Sequence, residues 1–125
     1  MNIEMEIQIH ICSAFSVLSK NYNFMFFSVP NEGFLFRAAT GGSLTQRDHA
    51  RLTILKKMGL TPGVSDLIIV KDGRVYCMEV KAEKGKISEA QNYFSEWCKA
   101  TSTPYMVVRS VNEAVDALKF WGVIK

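Results

Sequence analysis

Two acidic residues and a lysine are spaced so that a pair of strands could bring them together. Asp66 stands at the start of one apolar segment, Glu79 and Lys81 end the next, and Asp72-Gly73 lies between the two. Asp-Gly between apolar segments is typical of a tight β-hairpin turn, and Asp66 and Glu79 are at nearly equal distances from it. Side chains two residues apart on a strand share a face. We therefore predict that all three side chains converge at one end of a hairpin.

This combination suits metal-assisted phosphodiester hydrolysis. Mg²⁺ takes carboxylate and carbonyl oxygens, so Asp66, Glu79 and the backbone carbonyl of Val80 are the expected ligands. Such an ion can polarise a phosphodiester and lower the pKa of a water molecule. Lys81 would hold or help deprotonate the attacking water and offset charge on the phosphate oxygens. The alternative is a surface ion pair between Glu79 and Lys81, with Asp66 capping a turn; spacing alone does not separate the two.

The elements that carry these residues follow from apolar periodicity and from turn and cap signals. In the first half of the chain we predict a helix over the first twenty residues capped by Asn2, a strand over 24–29, a loop over 31–42 and a helix over 44–58 with Ser43 and Gln46 as a capping box. Two strands follow, over 64–70 and 75–81. The last part is predicted to form a helix from Ser88 through 100 with an apolar stripe that includes Trp97, a strand over 105–108, and a helix from Ser110 to Gly122.

Composition and length favour one domain over residues 1–125. The chain is 48% hydrophobic, which is ample for a single packed core. Its N-terminus is acidic where a signal peptide would be basic, and its longest aliphatic run, residues 67–70, is too short to span a bilayer. We therefore expect a cytoplasmic protein that does not enter a membrane. The three cysteines have no metal-binding or disulfide spacing and are predicted to be reduced thiols.

The net charge of +3 is too small to identify a partner, but the basic residues are concentrated in one segment. Around the single acid Asp48, this segment carries Arg37, Arg47, Arg51, Lys56 and Lys57. It is the first candidate for contact with nucleic-acid phosphates, and a solvated helix face is the alternative. Lys84 and Lys86, in the link after the Lys81 strand, are further candidates for phosphate contact, against the default of flexible surface lysines.

The motifs Gly63-Val64-Ser65-Asp66 and Glu79-Val80-Lys81, followed by Gly85, Ser88 and Gln91, resemble those of the virus-type replication-repair nuclease (VRR-NUC) domains. These domains belong to the PD-(D/E)XK nuclease superfamily. The resemblance covers nearly the whole chain and implies a restriction-endonuclease-like α/β core of helix, three strands, helix and strand. In this core a mixed central sheet is flanked by helices, and the basic helix is an insertion.

The same resemblance implies an activity. It implies Mg²⁺-dependent cleavage of DNA, with Mn²⁺ able to substitute, by Asp66, Glu79 and Lys81. The DNA is often branched, such as a flap or a junction, and the setting is phage or bacterial replication, recombination or repair. Cutting a four-way junction at two points would require a homodimer or larger homo-oligomer.

Two more site residues follow from the resemblance. Relatives carry a metal-site glutamate on the first helix, and Glu4 matches it, with Glu6 as the weaker choice. Glu4 flanks the buried stripe of the helix, although it could merely favour the positive helix end. Gln91 matches a glutamine that faces the site, and its alternative role is the capping-box partner of Ser88. The chain departs from the family in having Ser65 where a proline precedes the aspartate, which affects strand entry rather than chemistry.

Two other functional classes compete with a nuclease. A non-catalytic DNA-binding module could keep this fold without cleavage, but clustered carboxylates repel phosphate unless a metal ion intervenes. A protein-interaction domain could instead use the phenylalanines in and after the second predicted element, which are Phe24, Phe26, Phe34 and Phe36. That class would require a large exposed apolar patch.

Overall fold

The computed structural model describes residues 2–30 and 45–125, and its elements follow the predicted order. They are α1 (Ile3–Tyr22), β1 (Met25–Ser28), α2 (Gln46–Lys57), β2 (Leu67–Lys71), β3 (Arg74–Val80), α3 (Glu89–Ala100), β4 (Tyr105–Val108) and α4 (Val111–Phe120). The described residues form an α/β fold of four helices and a four-stranded mixed sheet. The predicted loop over 31–42 and the candidates Arg37, Phe34 and Phe36 lie outside the described residues.

Helix starts are set by side-chain caps, most of them as predicted. The Asn2 side chain accepts a hydrogen bond from the Met5 amide at 2.8 Å, and the capping box of Ser88 and Gln91 is confirmed. The predicted start of the basic helix is wrong. Its cap is Thr45, which exchanges hydrogen bonds of 3.1 Å with Asp48, so Gln46 is the first helical residue; the predicted cap Ser43 lies outside the described residues.

The strands lie in the order β1, β2, β3, β4, antiparallel except for the parallel pair β3 and β4. The turn between β2 and β3 is formed by Asp72 and Gly73, with φ of 50° and 77°. Two successive positive φ values match the tight hairpin turn that the sequence predicts, and Asp and Gly are among the residues that tolerate them. The turn fixes the register, in which Leu67 pairs with Met78.

One face of the sheet packs on α1 and α4 and forms the apolar core. Every second residue of the central strands belongs to it, as the alternation of side chains requires. Fully buried members include Ile11, Phe15, Leu67, Ile69, Met78, Val80, Val108, Ala114 and Leu118. Phe24 and Phe26, which could have served a protein-interaction surface, contact the Phe15 ring edge-on instead.

The opposite face carries Cys77, Glu79 and Lys81 and is covered at β3 and β4 by α3. Phe94 of α3 packs edge-on against Tyr105 of β4, with ring centroids 6.0 Å apart. Trp97 was predicted to join this buried stripe, but its side chain is 55% exposed. It precedes the buried Cys98 by one residue, and a helix turns by about 100° per residue, so its ring is directed away from the sheet.

None of the helices within residues 2–30 and 45–125 combines the length and the apolar character that crossing a bilayer requires.

Phe15→Ala is expected to lower the free energy of unfolding by about 3–5 kcal/mol, because it empties a fully buried site between two aromatic rings. Val17→Ala on the same helix is the control, since Val17 is 62% exposed, and it should change stability by no more than about 0.5 kcal/mol. Urea denaturation at pH 7 measures both. Similar losses for the two variants would contradict this packing.

Candidate active site

The hairpin brings Asp66 and Glu79 side by side. Because Leu67 pairs with Met78, the next residues outward from the turn are Asp66 and Glu79, on the face away from the apolar core. Asp66 lies just before β2, which begins three residues later than the strand predicted over 64–70. Two hydrogen bonds hold Asp66 there. Its Oδ2 accepts one from the Val80 amide at 2.8 Å, and its backbone carbonyl accepts the other from the Val29 amide at 2.9 Å.

Glu79 is the most enclosed acid of the hairpin, with 1% of its surface exposed. Its Oε2 accepts a hydrogen bond of 2.9 Å from Nε2 of Gln91, and Gln91 Oε1 accepts from the Ser88 amide at 2.9 Å. Gln91 therefore takes both roles considered for it, since one end of its amide caps α3 and the other meets Glu79. Among the described residues, Glu79 Oε1 has no hydrogen-bond partner.

The close carboxyl pair resists ionisation. Burial in the first place, and then the negative charge of Asp66, raise the pKa of Glu79 to about 9. Burial also raises the pKa of Asp66, against the opposing hydrogen bond from the Val80 amide. A proton shared between the two carboxyls, or a cation beside them, is what such a pair requires.

Lys81 follows β3 directly and lies on the same face of the sheet as this pair. Its side chain is 8% exposed, and its amide donates to the Val108 carbonyl at 3.0 Å, which continues the parallel pairing beyond the strand. Its positive charge lowers the pKa of both carboxyls, but this effect is smaller than that of burial. A surface ion pair, the alternative drawn from spacing, does not describe a lysine and a glutamate that are both buried.

Glu4 reaches the same region from the start of α1. Its charge contributes to the raised pKa of both Asp66 and Glu79, and its Oε2 would lie 3.2 Å from a Cβ built on Gly85. The Glu6 side chain is exposed. Of the two glutamates considered for the first helix, Glu4 is therefore the one that interacts with the hairpin carboxyls.

This site fits a divalent cation by its charge and its unsatisfied oxygens. Glu4, Asp66 and Glu79 outnumber Lys81, which leaves an excess of two negative charges when all are ionised. Two buried oxygens on this face, Glu79 Oε1 and the Tyr105 hydroxyl, lack partners in the described part of the chain. Within residues 2–30 and 45–125, no three His, Cys, Asp or Glu side chains already form a ligand set. Mg²⁺ commonly uses only one or two carboxylates and completes its shell with waters and phosphate.

The predicted phosphate-binding residues fall into two groups. Lys84 and Lys86 are exposed and flank Gly85, so they lie beside the carboxyl cluster. Arg47, Arg51 and Lys56 have exposed side chains on α2, which makes at most slight contact with the other described elements. The described packing therefore brings the first group to the site and does not bring the second. The Val80 carbonyl remains a predicted ligand. The Val80 amide donates a hydrogen bond to the Asp66 carboxyl.

Three supporting residues had no assigned role in the sequence. Ser65 is fully buried, and its hydroxyl donates to the Leu67 carbonyl at 3.4 Å. Gly63 has a φ of +79° and packs directly against the backbone of Ala90. Arg109 donates to three carbonyls in the turn after Lys81. The signal that could have located Arg109 is topological, because the ends of parallel strands meet at one edge of a sheet.

Gly63→Ala should be more destabilising than Gly73→Ala, although the two glycines have nearly the same φ. A Cβ on Gly63 would lie 2.2 Å from the Ala90 carbonyl oxygen, whereas a Cβ on Gly73 meets nothing within 4 Å. We expect about 1 kcal/mol of backbone strain in both variants, and a further 1–3 kcal/mol or so from overpacking in Gly63→Ala. Equal losses in urea denaturation would show that α3 is not packed closely on Gly63.

Without metal, the unfolding free energy should fall as pH rises from about 5 to 9. Glu79 keeps its proton in the folded protein up to a pKa of about 9 but loses it near 4.5 when unfolded, so its contribution is complete below 4.5 and is lost as pH rises through 9. Glu79→Gln should flatten this decline, leaving the smaller slope from Asp66. Urea denaturation of the wild type and of Glu79→Gln in EDTA at pH 5, 7 and 9 measures the two declines. If the unfolding free energies of the two proteins changed in parallel with pH, the raised pKa of Glu79 would be contradicted.

Comparison with known proteins assigns this chain to no family. No protein-family model, no curated protein and no solved structure matches it significantly. A function must therefore be inferred from the chemistry of the side chains that meet around Asp66 and Glu79.

Proposed function

We propose that this chain is a Mg²⁺-dependent DNA endonuclease that hydrolyses phosphodiester bonds. One observation carries the proposal: the carboxyls of Asp66 and Glu79 are paired at the end of the hairpin beside the buried Lys81, and a Glu79 oxygen has no partner among the described residues. A purely structural ion pair would not require a second carboxyl that works against ionisation of the first. Two acidic residues and one basic residue on one face of a sheet are the groups that hydrolysis of a phosphodiester uses.

Asp66, Glu79 and Glu4 are the proposed metal-binding side chains, with the Val80 carbonyl as a further oxygen. A bound Mg²⁺ would supply Lewis acidity toward the phosphodiester and lower the pKa of a water molecule. Its charge would offset the burial and the neighbouring negative charges that raise the pKa values of Asp66 and Glu79, so both carboxyls would ionise on binding.

Lys81 is the proposed catalytic cation. Its Nζ is a point charge with three donors, so it can orient the attacking water and stabilise negative charge on the phosphate oxygens. Because Lys81 is 8% exposed, water screens this interaction weakly, and its charge acts more strongly on the reacting atoms than that of a surface lysine would.

Gln91 orients the Glu79 carboxylate. The Gln91 amide is held at both ends, by the Ser88 amide and by Glu79 Oε2, so it has one hydrogen-bonding orientation. The bond leaves Oε1 as the Glu79 oxygen available to a ligand. Gln91 therefore acts on the geometry of a metal ligand.

We further propose that the domain is of the VRR-NUC type, with a restriction-endonuclease-like core. The supporting features are the matched motif residues and the order of helix, strand, inserted helix, hairpin, helix and strand. On this basis the substrate is DNA, and flaps or junctions are preferred, as in phage or bacterial recombination and repair. Lys84 and Lys86 are proposed to contact phosphates next to the scissile bond, and Arg47, Arg51 and Lys56 to contact DNA farther away.

A cleavage assay tests the activity directly. The protein is incubated with linear duplex, 5′-flap or four-way-junction DNA in the presence of Mg²⁺, Mn²⁺ or EDTA. Cleavage is expected with either metal ion and not with EDTA, and faster on a branched substrate than on linear duplex. Intact DNA in every metal condition, with a protein shown to be folded by circular dichroism, would refute the nuclease proposal.

Lys81→Met should reduce the cleavage rate at least about 100-fold while changing DNA affinity less than about twofold, as expected for loss of a group that acts on the reacting atoms. Methionine keeps most of the buried stem of the side chain. Lys84→Met removes the same charge from an exposed position and should weaken DNA binding modestly, in a salt-dependent way, with a smaller effect on turnover. Parallel losses of binding and cleavage in Lys81→Met would favour the non-catalytic DNA-binding module.

A further inference from the structure

Arg109 joins the ends of the two parallel strands. It follows β4 directly, and its Nη1 donates to the carbonyls of Ala82, Glu83 and Gly85 at 2.7, 3.2 and 2.8 Å. These carbonyls belong to the turn that follows Lys81 at the end of β3. One guanidinium nitrogen therefore binds three backbone oxygens of the turn. Hydrogen bonds from a charged donor are stronger than those from a neutral one.

The turn held by Arg109 lies beside the Glu4 carboxyl. The Ala82 carbonyl accepts a second hydrogen bond, from the Gly85 amide at 2.9 Å, which closes the turn. A Cβ on Gly85 would lie 3.2 Å from Glu4 Oε2 and 3.3 Å from the Ala82 backbone. The Glu4 carboxyl thus fits against a bare glycine, in a space whose shape depends on the path of the turn.

We propose that Arg109 is a positioning residue for the metal site and acts through Glu4. By fixing the turn at residues 82–85, it keeps Gly85 where the Glu4 carboxyl can approach Asp66 and Glu79. Losing Arg109 releases three carbonyls, the turn shifts, and Glu4 loses its place beside the other carboxyls. This inference rests on the proposed function, because it assigns Arg109 a role in binding the ion that the nuclease would use.

The direction in which loss of Arg109 changes cation affinity distinguishes a positioning role from a direct electrostatic one. Arg109 carries a positive charge near the carboxyl cluster, and removing a positive charge near a cation site should by itself strengthen cation binding. A weaker affinity after its removal therefore requires a change in the arrangement of the ligands.

The test is a double-mutant cycle read out as Mn²⁺ affinity by isothermal titration calorimetry, without DNA. Arg109→Met should weaken Mn²⁺ binding about tenfold, at the lower end of effects seen for residues that orient metal ligands. In a Glu4→Gln background the same substitution should change affinity less than about twofold, because the residue through which it acts has been removed. Arg109→Lys should recover part of the affinity, since one ammonium can donate to several carbonyls.

Two further variants serve as controls. Arg74→Met removes the same charge at the other end of β3, on the hairpin, and should leave Mn²⁺ affinity within about twofold of the wild type. Gly85→Ala leaves Arg109 intact but crowds Glu4, and should also weaken binding in the wild-type background and not in Glu4→Gln. If Arg109→Met fails to fold, Arg109→Gln takes its place in the same cycle.

The outcomes distinguish the two proposals. A folded wild type that binds no Mn²⁺ would overturn the metal site and this inference with it. A wild type that binds Mn²⁺, with an Arg109 effect that is equally large in the Glu4→Gln background or that strengthens binding, would overturn the inference alone. A tenfold loss confined to the background that retains Glu4 supports it.

Discussion

The register of the hairpin between β2 and β3 is the constraint on which the site depends. Asp72 and Gly73 close the turn, and with Leu67 opposite Met78 the alternate apolar residues of the two strands, among them Ile69 and Val80, face α1 and α4. The same register sets Asp66 beside Glu79 on the other face. A slip of one residue would turn Glu79 and Lys81 into the apolar core, so burial of the core and assembly of the site are enforced by the same pairing.

Burying charge at the end of an apolar strand is unfavourable unless other groups compensate, and three do so here. The Val80 amide binds Asp66, the Gln91 side chain binds Glu79, and the charge of Lys81 acts on both. The compensation is incomplete, since Glu79 stays protonated well above its ordinary pKa and one of its oxygens has no partner among the described residues. Under the proposed function, a bound cation would complete this compensation, and the stability given up in its absence would serve that function.

The site is completed at the ends of the parallel strands β3 and β4. Lys81 and Arg109 follow these strands; Arg109 donates hydrogen bonds to the turn between Lys81 and α3, and Glu4 lies beside Gly85 of that turn. On the other side, Gly63 lets the chain that leads into β2 lie against Ala90, which sets α3 so that Gln91 reaches Glu79. Glu4 and Glu79 thus lie on a helix and a strand, Asp66 is tied to β3 through the Val80 amide, and the lysines of the turn are exposed.

Local patterns in the sequence determine the elements of this protein and much of its site. The Asp-Gly turn, the alternation of faces and the side-chain caps are short-range effects, and from them the convergence of Asp66, Glu79 and Lys81 and the capping role of Gln91 follow. Only the tertiary structure decided what depends on contacts between distant segments. The position of Glu4 against Gly85, the hold of Arg109 on the turn and the retained proton of Glu79 arise from packing and desolvation. Sequence spacing carries no information about either.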